Sequence, residues 1–274
     1  MTAVCHVKCH TAEIKGWING GFFVRTKYVL AMATASAFLS VQAASAEPVP
    51  SFTWSGFYYG GHFGAGIDQT STGIAGDTPI LALLVNNGII PSSVTSNPSG
   101  PLAGLQLGYN FQRGTMVYGV EADLSLAAIE GKSITATAAI LPTARYTTTV
   151  DQNLQWFSTL RGRLGFTYTD KVLIYGTGGL ALGWSTYNAD VRRTAFLLNF
   201  DVPASANVMK AGWTVGLGAE YALQDRWSFK AEYLYYDLGK ESITGTIAGT
   251  AQQLTYNFVT RGNIVRLGLN RKFN

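Results

Sequence analysis

The chain has 274 residues, of which 47% are hydrophobic and only 13% charged, with a formal net charge of +4. So weak a positive balance gives no electrostatic case for nucleic acid. Two cysteines, Cys5 and Cys9, cannot supply a disulfide framework for a chain of this length.

In chain order the first signal is an export leader. Arg25 and Lys27 precede an apolar stretch from Tyr28 to Val41, and Ala44-Ser45-Ala46 follows. A positive region, a short apolar region and an A-x-A site are the parts of a secretory signal peptide, so residues 24–46 read as leader with cleavage before Glu47. The apolar run is too short and too rich in Ala, Ser and Thr for a spanning helix. Leader charges belong near the leader's own start, and Val24 stands where an initiator is expected, so residues 1–23 read as a start-site artefact. Without residues 1–46 the chain loses both cysteines, His6 and His10, and keeps 16 Lys+Arg against 15 Asp+Glu. Residues 47–274 then form one nearly neutral domain.

After the linker Pro48-Val49-Pro50-Ser51 the sequence alternates at every second residue, the period of a strand with two different faces. A first strand, about 56–68, sets Phe57, Tyr59, Phe63, Ala65 and Ile67 on one face. A second, 102–112, alternates Ala103, Leu105, Leu107, Tyr109 and Phe111 with Gly104, Gln106, Gly108 and Asn110. A third, 116–126, sets Tyr118, Val120, Ala122 and Leu124 against Glu121 and Asp123. A fourth, 154–167, sets Trp156, Leu160, Leu164 and Phe166 against Arg161 and Arg163. A glycine-rich fifth spans 172–185. The sixth and seventh form a hairpin over 208–238, with Met209, Ala211, Trp213, Val215, Leu217, Ala219 and Tyr221 facing one way and Lys210 and Glu220 the other. Beyond Gln224-Asp225-Arg226 the hairpin resumes with Trp227, Phe229, Ala231, Tyr233 and Tyr235 opposite Lys230 and Glu232. The eighth strand is 258–273, and no convincing amphipathic helix follows any of the eight.

Three connections are tight, at Arg113-Gly114, Thr169-Asp170 and Gln224-Asp225-Arg226; four are long, at about 70–100, 127–150, 186–207 and 239–257. The apolar faces are too complete for water and read as facing lipid. Aromatics gather near the strand ends (Trp54, Phe57, Tyr59, Tyr109, Phe111, Tyr118, Trp156, Trp184, Trp213, Tyr221, Trp227), where interfacial girdles are expected. The fold class is therefore all-β: a closed eight-stranded antiparallel up-and-down transmembrane barrel with short periplasmic turns and long extracellular loops, since only closure removes edges that lipid cannot hydrogen-bond.

The stretches Trp54-Ser-Gly-Phe-Tyr-Tyr-Gly-Gly, Leu160-Arg-Gly-Arg-Leu-Gly-Phe, Tyr175-Gly-Thr-Gly-Gly-Leu-Ala, Gly212-Trp-Thr-Val-Gly-Leu-Gly-Ala-Glu-Tyr and Lys230-Ala-Glu-Tyr-Leu-Tyr-Tyr-Asp-Leu-Gly resemble the small outer-membrane surface antigens of alphaproteobacteria, the opacity-type "porin family" of eight-stranded barrels. The resemblance covers residues 52–274 and implies an outer-membrane location with a structural or surface-antigen role. The ending Gly268-Leu-Asn-Arg-Lys-Phe273-Asn274 resembles the C-terminal signal read by the barrel-assembly machinery. It departs from that pattern in Arg271, two before the aromatic, and in the extra Asn274.

Several constellations imitate chemistry. Gly176-Thr177-Gly178-Gly179-Leu180-Ala181, with Asp201 beyond, resembles a dinucleotide fingerprint, but the helix it needs would hold Gly183, Trp184, Thr186, Tyr187 and Asn188, and it reads as strand. Cys5-His-Val-Lys-Cys9-His10 lacks the haem-attachment spacing. His62 has no second His or Cys to share a metal and reads as a hydrogen-bonded histidine. No catalytic triad, cofactor or metal set is expected. What remains is a set of inward charges: Asp68, Glu121, Asp123, Glu220 and Glu232 against Arg161, Arg163, Lys210, Lys230 and Arg266. An eight-stranded barrel has room inside only for its own side chains, and an unpaired buried charge is costly, so a paired structural lattice that plugs the lumen is favoured over an ion-selecting lining. The apolar clusters Ile80–Val85, Ala138–Leu141 and Ala195–Leu198 read as strand extensions or mutual packing rather than a patch for host, matrix or haem-like ligands. The partners expected are outer-membrane lipid and the assembly machinery; the rival functions are a narrow porin and a loop-mediated adhesin or haem-type binder.

Overall fold

The computed structural model describes residues 52–138, 144–196 and 199–273. The leader (24–46), the stretch before it (1–23), the linker 48–51, part of two apolar clusters (139–141 and 197–198) and Asn274 lie outside the described residues. In chain order come β1 (Gly56–Gly76), helix α1 (Pro79–Asn86), β2 (Ser93–Ser96), β3 (Ser99–Arg113), β4 (Met116–Ala138), β5 (Ala144–Thr169), β6 (Val172–Ala195), β7 (Phe200–Ala222), β8 (Trp227–Thr246) and β9 (Gln253–Lys272).

Each strand from β3 onward pairs antiparallel with the next. β9 returns to β1, from Tyr58↔Lys272 to Gly76↔Leu254, so the sheet closes on itself. Nine strands make eight staves. The pairs Thr70↔Ser96 and Ile67↔Ser99 keep one register against β1, so β2 and β3 are a single stave interrupted at Asn97-Pro98. Proline cannot donate to the ladder, yet its carbonyl still accepts the Asp68 amide at 2.8 Å and holds the stave in place.

The eight staves lie where the alternation puts them, but they run longer than the alternation alone marks: the fourth, read over 154–167, is the 26-residue β5. Most of the four long loops are strand. β1 runs on to Gly76, β4 to Ala138, β6 to Ala195 and β8 to Thr246. The reason is an inversion of phase. In the lower half the outward positions are apolar and exposed, as with Leu105 (73%) and Leu217 (69%), while inward positions carry polar groups. Higher up the two faces exchange contents, and on β5 an irregularity between Leu154 and Trp156 shifts the inward positions from odd to even residues. On β5 the inward side becomes Tyr146, Val150 and Leu154, and the outward side Thr147, Thr149, Asp151 and Asn153. On β9, Leu254, Tyr256 and Phe258 point in and Gln253, Thr255 and Asn257 point out. Polar outward residues suit water, so these segments resemble loops in composition while remaining ladder in geometry.

Ile80–Val85, expected as strand extension or packing, is the helix α1. Pro79 opens it, where its missing N–H costs nothing, and Leu81 and Val85 bury among Tyr146, Val150, Tyr187, Val202, Tyr256 and Phe258 at the extracellular end. Trp54, expected in the aromatic girdle, instead folds into the other mouth. It is buried with Val117, Leu173, Tyr175 and Ala222, and its amide donates to Gln112 Oε1 at 2.8 Å.

Val215 lies on the outward face of β7, midway between Met209 and Tyr221. Val215→Arg should cost about 2–4 kcal/mol, read as a lowered urea midpoint for folding into lipid vesicles. An unchanged midpoint would show that this face does not meet hydrocarbon.

Candidate functional site: the charged lumen

Period two sends Glu121 and Asp123 from β4, Arg161 and Arg163 from β5, Glu220 from β7, Lys230 and Glu232 from β8 and Arg266 from β9 into one space. All eight are buried, four acids with four bases. Arg161 is the hub: Nη2 reaches Glu121 Oε1 at 2.5 Å and Asp123 Oδ2 at 3.1 Å, and Nη1 reaches Glu232 Oε1 at 3.0 Å. Arg266 Nη2 meets Glu232 Oε2 at 2.6 Å and Asp123 Oδ2 at 3.0 Å. Lys230 donates to both Glu121 oxygens, at 2.8 and 2.9 Å, while Arg163 pairs with Glu220 at 2.7 Å.

Neutral donors complete the acids. The Tyr58 hydroxyl donates to Glu121 Oε2 at 2.7 Å, Tyr175 to Glu232 Oε1 at 2.9 Å, and Thr159 to Asp123 Oδ2 at 2.6 Å. The Arg163 guanidinium also lies 4.0 Å from the Tyr175 ring centroid. Multiple short bonds per ion are what repay the desolvation of charges in so dry a place.

His62 lies beside this cluster as a hydrogen-bonded histidine. Its Nδ1 is 3.1 Å from Gln106 Oε1, and Gln106 spends its amide hydrogen on Asn270 Oδ1 at 2.5 Å. Nδ1 must therefore carry the proton, leaving Nε2 to accept from the Ser125 hydroxyl at 2.7 Å. Among the described residues no group of His, Cys, Asp and Glu is arranged to hold a metal ion.

Two of the ten expected lattice residues are not in it. Asp68 accepts from the Tyr236 hydroxyl, higher in the lumen, and meets no base within ion-pair distance among the described residues. Lys210 donates to the Gly239 carbonyl at 3.0 Å, near the Tyr187 ring. Both point inward as their register requires, but their strands put them nearer the extracellular end. Sequence reasoning had in turn passed over Tyr58, Tyr175 and Thr159. Tyr58 and Tyr175 share the inward register of His62 and Arg163, and that parity was the available signal.

The glycine-rich decoy is strand. A side chain on Gly179 would collide with the Leu160 carbonyl and Arg161 Cα, and one on Gly218 with the Tyr175 ring. Gly179 thus permits close approach of the neighbouring backbone and Gly218 makes room for an inward ring.

On the staves other than β1 and β7, apolar residues replace polar ones just above the charges. Glu232 gives way to Leu234, Arg266 to Ile264, and Thr159 to Phe157; with Leu102, Ile129, Leu154, Tyr236 and Leu238 these form one buried layer. The Trp54 cluster lies on the other side of the charges, at the short-turn end.

A closed antiparallel ring with an apolar outer band and inward charges defines a membrane-spanning β-barrel. The profile described as "Outer membrane protein beta-barrel domain" matches residues 31–273, and the chain belongs to that family. It is similar to the 31 kDa outer-membrane immunogenic protein of Brucella melitensis, 35% identical over 238 residues that cover 84% of this chain and 88% of that protein. It is also similar to the 22 kDa outer membrane protein of Rhizobium leguminosarum, 29% identical over 169 residues covering 61% and 63%. Among solved structures, that of OprG from Pseudomonas aeruginosa shares 15% identity over 80% of this chain and 96% of that one, with a TM-score of 0.45. The protein is an outer-membrane β-barrel of the alphaproteobacterial surface-antigen type.

Removing one member of the cluster strands its partners. Glu121→Gln should lower stability by about 3–5 kcal/mol, and adding Lys230→Met, which restores the charge balance, should recover part of that loss. Urea titration of the two variants checks both expectations; equal midpoints for wild type and Glu121→Gln would mean that these charges are not a coupled lattice.

Proposed function

We propose that this protein is a non-enzymatic, non-conducting barrel that braces the outer membrane and presents its extracellular end as a surface antigen. The observation that carries the reading is the filled lumen: a charge cluster with equal numbers of acids and bases, apolar layers above and below it, and α1 packed into the extracellular end. Balanced charge suits a plug better than a selective pore, which favours an excess of one sign. Brucella relatives named immunogenic support surface presentation. Anchoring rests on contact with outer-membrane lipid along the apolar band, and insertion on recognition of β9 by the assembly machinery. The chain's chemistry supports no cofactor and no nucleic-acid partner.

A loop-borne binder of host or haem-type ligands draws less support. The best-defined apolar cluster, in α1, spends Leu81 and Val85 on internal packing, which leaves Ile80, Leu83 and the 92% exposed Phe196 as scattered candidates.

Planar-bilayer recording of the protein purified from outer membranes tests the reading. The wild type should be silent. Lys230→Ala/Glu232→Ala should stay silent as well, because the Phe157–Leu234 layer still closes the path, and openings should appear only when Phe157→Ala and Leu234→Ala are added. Steady discrete openings from the wild type would replace the plug with a narrow porin.

A further inference from the structure

On the outer wall, above the lipid band, four staves line a groove of about 550 Å³, a size within the roughly 300–1,000 Å³ of small-ligand clefts. Ladder register brings its side chains together. Lys132 on β4 lies opposite Asp151 on β5, Asp151 opposite Asn188 on β6, and Asn188 opposite Ser205 on β7, so one row crosses all four staves. The next row up sets Thr149 opposite Asp190 and Asp190 opposite Pro203. Every one of these residues is exposed or half-buried, while Val150, Gln152, Tyr187, Ala189 and Ala204 between them are buried, so they share the outward face.

The rows on either side are bonded within themselves. Below, Asn153 Nδ2 donates to Glu130 Oε1 at 2.8 Å and the Thr186 hydroxyl to Asn207 Oδ1 at 2.7 Å. Above, Arg192 Nε donates to Asp201 Oδ1 at 3.1 Å. In the groove the same kinds of residue stay open. Among the described residues Lys132 and Asp151 come within ion-pair distance of no opposite charge, although they face each other across a ladder. Thr149, Asn188 and Ser205 spend no side-chain hydrogen bond on a neighbour. Asp190 is half-buried: Oδ2 lies 3.8 Å from Arg192 Nη2, and Oδ1, shielded from solvent, has no hydrogen-bond partner in the protein. A shielded acceptor without a partner, among open polar groups on a face that otherwise pairs itself, points to a ligand.

The spacing says which kind. Neighbouring strands lie about 4.8 Å apart, so the row offers a polar group about once per ring of a pyranose chain. Carboxylates and an amide can each span two adjacent hydroxyls, and the Pro203 ring gives a flat apolar surface for the C–H face of a sugar. An extended peptide would instead need free backbone groups, and those of β5 and β6 are spent in ladders on both sides. Two carboxylates against one ammonium disfavour sulfated or acidic glycans.

We propose that this groove binds a neutral or amino-bearing oligosaccharide, with Asp151, Asn188, Asp190 and Ser205 on its hydroxyl and amino groups and Pro203 beneath a ring. The outward face turns polar near Gln155, two outward positions below Asp151. The sugar can therefore belong to the outer leaflet's own glycolipid or to a soluble glycan. The site depends on the membrane placement of the barrel but not on a plugged lumen.

Isothermal titration of the full protein in phosphatidylcholine vesicles tests the assignment, with tetrasaccharides of glucosamine, of maltose type and from heparin as probes. Affinity should fall in that order. Asp151→Asn/Asp190→Asn should weaken the glucosamine probe by about tenfold or more. Asn188→Ala/Ser205→Ala should weaken the maltose-type probe, an effect that charge does not explain. Glu130→Gln, which removes a charge from the same face outside the groove, should change neither. No binding of the first two probes, binding that survives both double variants, or tightest binding of the heparin fragment overturns the proposal. Competition then separates the sources. Vesicles carrying glycolipid with its core sugars should block the probes where trimmed glycolipid does not, which assigns the groove to the envelope's own carbohydrate; undiminished binding in both assigns it to a soluble glycan.

Discussion

In hydrocarbon a peptide group has no water to bond, and an unpaired N–H or C=O there costs several kcal/mol. The return of β9 to β1 is the interaction on which everything else rests, because it leaves no open stave inside the membrane. Closure then dictates what each side chain faces. One residue in two must meet lipid and be apolar; the other faces the interior of an eight-stave ring, where side chains have little room. Gly179 lets its stave approach the β5 backbone at Leu160 and Arg161, and Gly218 leaves the space that the inward Tyr175 ring fills.

The charge cluster follows from the same geometry. Inward positions are the only ones in the band where polar residues can be placed, and once placed they must satisfy one another. Arg161 does so with three acids, and Glu121 with Arg161, Lys230 and Tyr58. The apolar clusters on both sides raise the penalty for any charge left over, which ties the charge cluster's stability to its apolar neighbours.

Within the membrane band the sequence was legible because the two faces differ so sharply. The alternation over 208–222 is sufficient to orient β7, and eight of ten expected inward charges do meet. Asp68 and Lys210 escaped because parity fixes the face of a residue but not its height, which depends on stagger between staves. The extracellular half was less legible. There Thr147, Thr149 and Asp151 point out and Tyr146 and Val150 point in; the irregularity between Leu154 and Trp156 lets the apolar residues of β5 keep even positions while they change face, and the segment passes for a loop. Helix α1 was hidden for another reason: eight residues with an apolar run fit a buried strand as well as a helix.

The central claim is that one continuous outward face passes from lipid to water partway along each stave. Spin labels on single cysteines along β5 test it most directly, comparing collision with oxygen, which concentrates in lipid, and with a water-soluble nickel complex. Labels at Leu160 and Leu164 should favour oxygen and labels at Thr147, Thr149 and Asp151 should favour nickel, with the change falling near Gln155. Oxygen preference along the whole face, or nickel preference along the whole face, would contradict the phase inversion and the membrane placement built on it.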